Sequence, residues 1–322
     1  MSNTVTISFA SHSLGDNISW VPYCEEYKRK HNLEKVFVVT QFNHLFQPVY
    51  PELTFIPRET KIQGKHIVIN GRHLMEATNF WADTPKDIPH VNQLSVQGIA
   101  AACLGLDLNL DLKPRIAIPD EPRRLQSKYV CIAIQSTTQA KYWNRKNGWE
   151  QVIKYLKRKK YKVICLDKYK IFGHQPKWNV MPKGVINKTG DIPLEDRIID
   201  LKYADFFIGL TSGLTWLAHA VNTPIIQVVG VSTPDYQFNT NGIGFNHIGN
   251  NIWKCNDSEN NKNIQVIYND DDNVCRNCHA NHILNPKDWF WCPENKNFEC
   301  TNSIKPESIF RAIDNIIKEK NV

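Results

Sequence analysis

The chain has 322 residues, of which 42% are hydrophobic and 11% aromatic, and carries a net charge of +7. That length accommodates two ordinary globular domains. No apolar run reaches membrane-spanning length, and the first ten residues lack a basic segment and a long apolar core, so neither a transmembrane helix nor a signal peptide is expected. Nine cysteines without a secretory signal point to a reducing compartment, with Cys24, Cys103, Cys131, Cys165 and Cys255 as reduced thiols.

In chain order, Thr4 to Ala10 alternates and is β-branched, which predicts a strand. A turn over residues 12–16 leads into a helix from Ile18 to His31, with Pro22 expected in its first turn, where the missing N–H costs little. Val36 to Thr40 is a second strand, and residues 54–56 and 66–70 are short candidates. Val91 to Leu104 reads as a helix closed by Gly105. Pro114, Pro119 and Pro122 mark residues 112–126 as a linker, dividing the chain into domains 1–118 and 119–322. Beyond it, strands at 129–134, 162–166, 205–209 and 225–229 alternate with helices at 148–161, 194–202 and 214–221. The 129–134 run is nearly all apolar, as for a parallel strand buried on both faces. Residues 180–185 fit no single pattern, and the Asn-rich stretch 239–272 reads as the least structured. A terminal helix over 306–320 carries Ile309, Phe310, Ile313, Ile316 and Ile317 on one face. This alternation predicts parallel α/β layers, one doubly wound unit in each half.

Two features lie outside that pattern. Between Arg123 and Lys170, fourteen Lys and Arg face only Glu150 and Asp167, a local balance of +12 suited to a nucleotide diphosphate, a nucleic acid or an acidic partner, or simply to a solvated helix face. Near the end, Cys275, Cys278, Cys292 and Cys300 read C-x2-C-x13-C-x7-C. A pair two residues apart grips one face of a tetrahedral metal and a second pair closes the other, which suits a structural zinc or a single iron. The alternative is four buried hydrophobic thiols. Trp289, Phe290 and Trp291 are expected to pack over this cluster, and His279 and His282 to lie outside the ligand set.

Open α/β sheets bind ligands at the carboxyl ends of their strands, and three polar turns sit there. In the first, Ser13-Leu14-Gly15-Asp16, the aspartate can be a helix cap or a general base, with His12 beside it as a solvated or packed loop residue. In the second, residues 135–144, Ser136, Thr137 and Lys141 follow a buried strand and make a phosphate cradle without Walker glycines. In the third, Gly209, Thr211, Ser212, Gly213, Leu214 and Thr215 lead into a helix whose N-terminal amides favour a diphosphate.

These motifs together, 13–23, 141–144, 212–218 and the cysteine run with Trp291-Cys292-Pro293 and Phe298-Glu299-Cys300, resemble the bacterial autotransporter heptosyltransferases, and through them the wider heptosyltransferases of lipopolysaccharide synthesis. The resemblance implies a GT-B fold of two Rossmann-like domains, the first for a hydroxyl acceptor, the second for a nucleotide-sugar donor, ADP-heptose in the family. It implies an inverting glycosyltransferase that needs no catalytic metal. Asp16 would be the base, Gly15 would adjoin the donor, Lys141 would meet its phosphates, and the 209–215 turn would hold its nucleotide. The four cysteines would hold one structural iron, or zinc. It further implies a cytoplasmic enzyme, a serine or threonine of a bacterial surface protein as acceptor, and a homo-oligomer. Family members carry an extra N-terminal domain, whereas here the first strand begins near Thr4. That departure, with the basic segment, keeps two alternatives in view: a phage-type transfer from a UDP-sugar to hydroxymethyl-pyrimidine DNA, and a non-catalytic cysteine-cluster protein that binds nucleic acid through its aromatics.

Overall fold

The computed structural model describes residues 3–70, 94–174, 177–281 and 291–320. The chain divides into two compact units: residues 1–117 with 235–244, and residues 118–234 with 245–322.

In the first unit, β1 (Thr4–Phe9), β2 (Lys35–Val39), β3 (Thr54–Phe55) and β4 (Lys65–Ile69) form a parallel sheet in the order β3-β2-β1-β4. Val5 pairs with Val36 and Ile7 with Val38, so the β-branched positions stack in the middle of the sheet. The helix α1 spans Leu14–Lys30 and starts four residues earlier than the pattern predicts. Pro22 therefore sits two turns inside it, not at its start, and offers no N–H to the carbonyl of Ile18. The register is fixed instead by burial: Ile18, Val21, Tyr23 and Cys24 are sealed from solvent, and the buried Trp20 Nε1 donates to the Val96 carbonyl at 2.8 Å. That carbonyl opens α2, Val96–Leu104, capped at its N-terminus by Ser95 and at its C-terminus by Gly105 in the left-handed region. Residues 91–93 of the predicted helix lie outside the described residues.

The excursion 235–244 is stitched into this unit by Asn239 and by Asn241, whose Oδ1 accepts from the Asp111 N–H at 3.2 Å. Asn239 Nδ2 donates to the carbonyls of Leu108 at 2.8 Å and Leu110 at 2.9 Å. Its Oδ1 accepts from Ser95, and its own N–H donates to Gln97 Oε1 at 2.8 Å.

The second unit is built on an eight-stranded sheet. Its strands are β5 (Tyr129–Ile132), β6 (Lys162–Cys165), β9 (Ile186–Asn187), β10 (Phe207–Leu210), β11 (Ile225–Val228), β12 (Asn246–His247), β13 (Ile252–Lys254) and β14 (Ile264–Ile267), in the order β12-β13-β14-β11-β10-β5-β6-β9. The six strands from β14 to β9 are parallel, and β13 and β12 are added antiparallel at one edge. A separate hairpin pairs β7 (Ile171–His174) with β8 (Lys177–Val180). The helices α3 (Gly148–Arg158), α4 (Leu194–Lys202), α5 (Gly213–Ala220) and α6 (Pro306–Lys320) fill the crossovers and the terminus. One core runs from Val130, Ile208 and Ile226 of the sheet to Trp149 and Leu156 of α3 and Ile309 and Ile313 of α6. All nine cysteines are free thiols. Among the described residues no helix is long and apolar enough to cross a membrane.

Candidate active site

Each candidate turn lies at the carboxyl end of a parallel strand. In the first unit, β1 ends at Phe9 and the chain enters α1 through Ser11 and Ser13. Ser13 stands at the N-cap, so Asp16 is the third residue of the helix and not its cap. Gly15 is buried beside it, while Asp16 is half-buried and accepts a hydrogen bond from Ser11 Oγ at 2.5 Å. A carboxylate in the first turn lies in the favourable field of the helix N-terminus. The buried Asn17 holds the turn from below, donating to the carbonyls of Ser11 at 3.0 Å and Ser13 at 2.8 Å. His12 is exposed; Gln41 meets its Nδ1, and Arg58 approaches its Nε2 at 3.2 Å while donating to the Phe9 carbonyl at 3.1 Å. Tyr236 of the excursion also reaches this turn: burial pushes its phenol upward, and the charge of Asp16 pushes the same way.

In the second unit, the turns after β5 and β10 are joined directly. Ser136 Oγ donates to the Thr211 carbonyl at 2.8 Å. Gln227 of β11 donates to Thr211 Oγ1 at 3.3 Å. Thr211 is thus committed to the protein, and so is Thr215, whose buried hydroxyl donates to the Leu210 carbonyl at 2.5 Å. Gly209 lies inside β10; a Cβ there would come within 2.4 Å of the Phe207 ring, so its glycine is needed for packing. Ser212, at the N-cap of α5, makes no capping bond, and its buried hydroxyl has no hydrogen-bond partner among the described residues. The Ser232 hydroxyl, just beyond β11, is buried in the same condition. Gly213 and Leu214 are half-buried in the first turn of α5. Two buried hydroxyls without partners at adjacent strand ends suit a polar ligand.

Thr137 is exposed, and Lys141 closes a single 3-10 turn, Gln139–Lys141, where it is half-buried. Sequence reasoning missed what sets this turn. Asp167, buried at the end of β6, accepts from the backbone N–H of Ile134 at 2.8 Å and of Gln135 at 3.1 Å. Burial pushes its carboxyl up to about 6, against the pull of those two amides and of Arg197. The signal was an aspartate directly after an apolar strand run.

Two of the fourteen basic residues of the 123–170 segment are seen in ion pairs. Arg124 pairs with Glu121 at 2.5 Å and Asp196 at 2.7 Å, and Lys159 pairs with Asp314 at 2.9 Å. Exposed pairs of this kind contribute little stability.

The four cysteines are brought into one neighbourhood. Cys275, Cys278 and Cys292 share a cluster with Ala140, Val231, Trp291 and Phe298. Burial raises the thiols of Cys278 and Cys300 to about 12, and the neighbouring cysteines add to it. Among the described residues no group of three or more is drawn together at metal-ligand geometry. The residue types still suit the expected group, since cysteine thiolates are ligands of zinc and iron. Trp291 lies edge-on to Phe298 with ring centroids 4.8 Å apart, which is packing. His279 donates through its backbone to Val231 at 2.8 Å. His282, Trp289 and Phe290 lie outside the described residues.

Two Rossmann-like units with polar turns at their strand ends define a glycosyltransferase architecture of the GT-B class. Residues 52–266 match the model of glycosyltransferase family 9 (heptosyltransferase), and the chain belongs to that family. Within it, the chain is 35% identical to the autotransporter heptosyltransferase Aah of Escherichia coli, over 95% of this chain and 72% of that protein. It is 34% identical to the autotransporter heptosyltransferase BAHTCr of Citrobacter rodentium, over 93% of this chain and 68% of the other. Its fold matches the crystal structure of the dodecameric iron-containing heptosyltransferase TibC in complex with ADP-D-β-D-heptose, with a TM-score of 0.78 and 29% identity over 98% of this chain and 76% of TibC. The chain is therefore a glycosyltransferase, and the non-catalytic reading is set aside. The DNA-acceptor reading gains no support from these similarities.

Proposed function

We propose that the chain transfers a heptose from ADP-heptose to a serine or threonine hydroxyl of a bacterial surface protein, with inversion at the anomeric carbon. The observation that carries this reading is the likeness, over nearly the whole chain, to TibC in complex with ADP-D-β-D-heptose. Asp16 takes the proton of the acceptor hydroxyl as its oxygen forms a bond to the anomeric carbon. The bond from that carbon to the diphosphate breaks on the opposite face, and ADP leaves. Lys141 and the N-terminal amides of α5 meet the charge growing on the diphosphate. Gly15, Ser136, Thr137 and the 209–215 turn line the donor. Gly209, Thr211 and Thr215 serve as its frame, because their packing and hydrogen bonds are already spent within the protein.

Cys275, Cys278, Cys292 and Cys300 hold one iron or zinc ion, which supplies a structural cross-link. The first unit, 1–117 with 235–244, takes the acceptor side and the second the donor side. The enzyme works in the cytoplasm, and self-association follows the dodecamer of TibC.

The test is incubation with ADP-heptose and an autotransporter passenger fragment, read by intact-protein mass spectrometry. A heptose-sized gain that disappears in Asp16→Ala is the expected result. Gain on the fragment from a UDP-sugar and not from ADP-heptose would overturn the donor assignment. Gain only on hydroxymethylcytosine DNA would overturn the acceptor.

A further inference from the structure

The turn that carries Lys141 is held by a segment more than 150 residues away. Thr301 is fully buried in a single helical turn, Glu299–Asn302. Its Oγ1 accepts from the backbone N–H of Asn144 at 3.3 Å and from Asn144 Nδ2 at 3.2 Å, and donates to the Phe298 carbonyl at 3.4 Å. On either side of Asn144 the same two segments meet again: Trp143 Nε1 donates to the Ile304 carbonyl at 3.1 Å, and Arg145 Nη1 to the Asn302 carbonyl at 2.8 Å.

Asn144 in turn closes a ring around Lys141. Its Nδ2 also donates to the carbonyls of Gln139 at 3.1 Å and Tyr142 at 2.8 Å, and its Oδ1 accepts from Gln139 Nε2 at 2.7 Å. The Thr301 methyl has a second task. A Cβ on Gly230, just past β11, would lie 2.6 Å from Thr301 Cγ2, so the methyl fills the space beside that strand end. One small side chain thus seats both the Lys141 turn and the exit of β11.

We propose that Thr301 is a positioning residue for the donor diphosphate, its hydroxyl fixing the Asn144 ring that sets Lys141 and its methyl seating the end of β11. The inference rests on the reading that Lys141 meets the diphosphate. A buried hydroxyl accepting two bonds from one residue restricts that residue far more than packing alone. Binding and chemistry at a phosphate need that restriction, because a displacement of about 1 Å can cost about 100-fold in rate.

The experiment uses the full chain with Thr301→Val, which keeps the shape and removes the acceptor, and Thr301→Ser, which keeps the hydroxyl. Amide hydrogen exchange is followed in peptides covering 136–146 and 306–320, and donor KM and kcat are measured with ADP-heptose. For Thr301→Val the expected result is exchange about 10-fold faster in 136–146 but not in 306–320, with donor kcat/KM about 10-fold lower. Thr301→Ser should remain near wild type in both. Unchanged exchange in 136–146, or equal damage from Ser and Val, overturns the proposal. If the Val variant does not fold, Asn144→Ala removes the Nδ2 bond to Thr301 and the three bonds of the ring while keeping the backbone bond, and the same two readouts decide. Should Lys141→Ala leave donor KM unchanged, the Lys141 reading fails separately, because the exchange measurement does not depend on it.

Discussion

The β1–α1 turn and the β5 and β10 turns occupy equivalent places in two similar sheets, yet they are held in different ways. The first bonds largely within itself, Ser11, Ser13 and Asn17 meeting each other and Asp16 standing half-buried with a hydroxyl of the same turn, while Gln41 and Arg58 join it from the ends of the following strands. The second pair is clamped from far along the chain, by Asp167 beneath, Thr301 behind and Ser136 between. A group that must accept a proton needs access and little scaffolding. A surface that must match a diphosphate needs several fixed points at once, and those come from buried side chains on different elements.

Breaking the lightly held side should cost chemistry and leave the fold. Asp16→Ala is expected to lower transfer about 10³-fold, with the melting temperature nearly unchanged by calorimetry. A large loss of stability would instead make Asp16 part of the frame. The next effect falls on the seam that supports that side. Asn239→Ala takes the donor from the Leu108 carbonyl, one of two donors from the Leu110 carbonyl and the acceptor from the Ser95 hydroxyl, while the backbone bond to Gln97 remains, and should destabilise the protein by about 3 kcal/mol in urea unfolding.

The clamped side is probed by pH. The Asp167 carboxyl titrates higher in the folded chain than in the unfolded one. Its contribution to stability is therefore fully present below the unfolded value, near pH 4, and is lost as pH rises through about 6. Wild-type stability relative to Asp167→Asn should fall by about 2–3 kcal/mol between pH 4 and 7. A difference that stays flat across that window would remove the buried carboxylate from the account. The smallest effect sharpens the contrast: Lys141→Ala should raise donor KM about 10-fold, near 1.4 kcal/mol, with little change in unfolding.

Much of the fold was legible because its signals are local. The β-branched run at Thr4 to Phe9, the apolar run at Tyr129 to Ile132 and the isoleucine stripe of α6 each announce their element. The failures have physical causes. Ile264–Ile267, a central strand, was lost in the Asn-rich stretch because four residues give no period and asparagine suggests loops. Those asparagines do serve turns: Asn241, Asn250 and Asn251 all adopt positive φ between the short strands. Pro22 was misplaced because burial of Trp20 and Tyr23 extends α1 past the usual proline rule. At the candidate site, the glycine and hydroxyl turns were readable as motifs. The bonds that engage Thr211 and Thr215 were not, because which neighbour a hydroxyl meets is set by the folded turn, and the braces Asp167 and Thr301 were not, because bonds to residues 33 and 157 positions away leave no mark in local sequence.

The excursion 235–244 has a consequence for how such a chain is inherited. Because residues 235–244 return to the first unit, the polypeptide passes between units three times, after 117, 234 and 244. A recombination joint in the proline-rich linker would carry off a first half without Asn239, and with it the side-chain donor for the Leu108 carbonyl and one of two for the Leu110 carbonyl. The two halves of such a gene are therefore not free to be shuffled as cassettes. A viable chimera must exchange a ten-residue patch inside the second half together with the first.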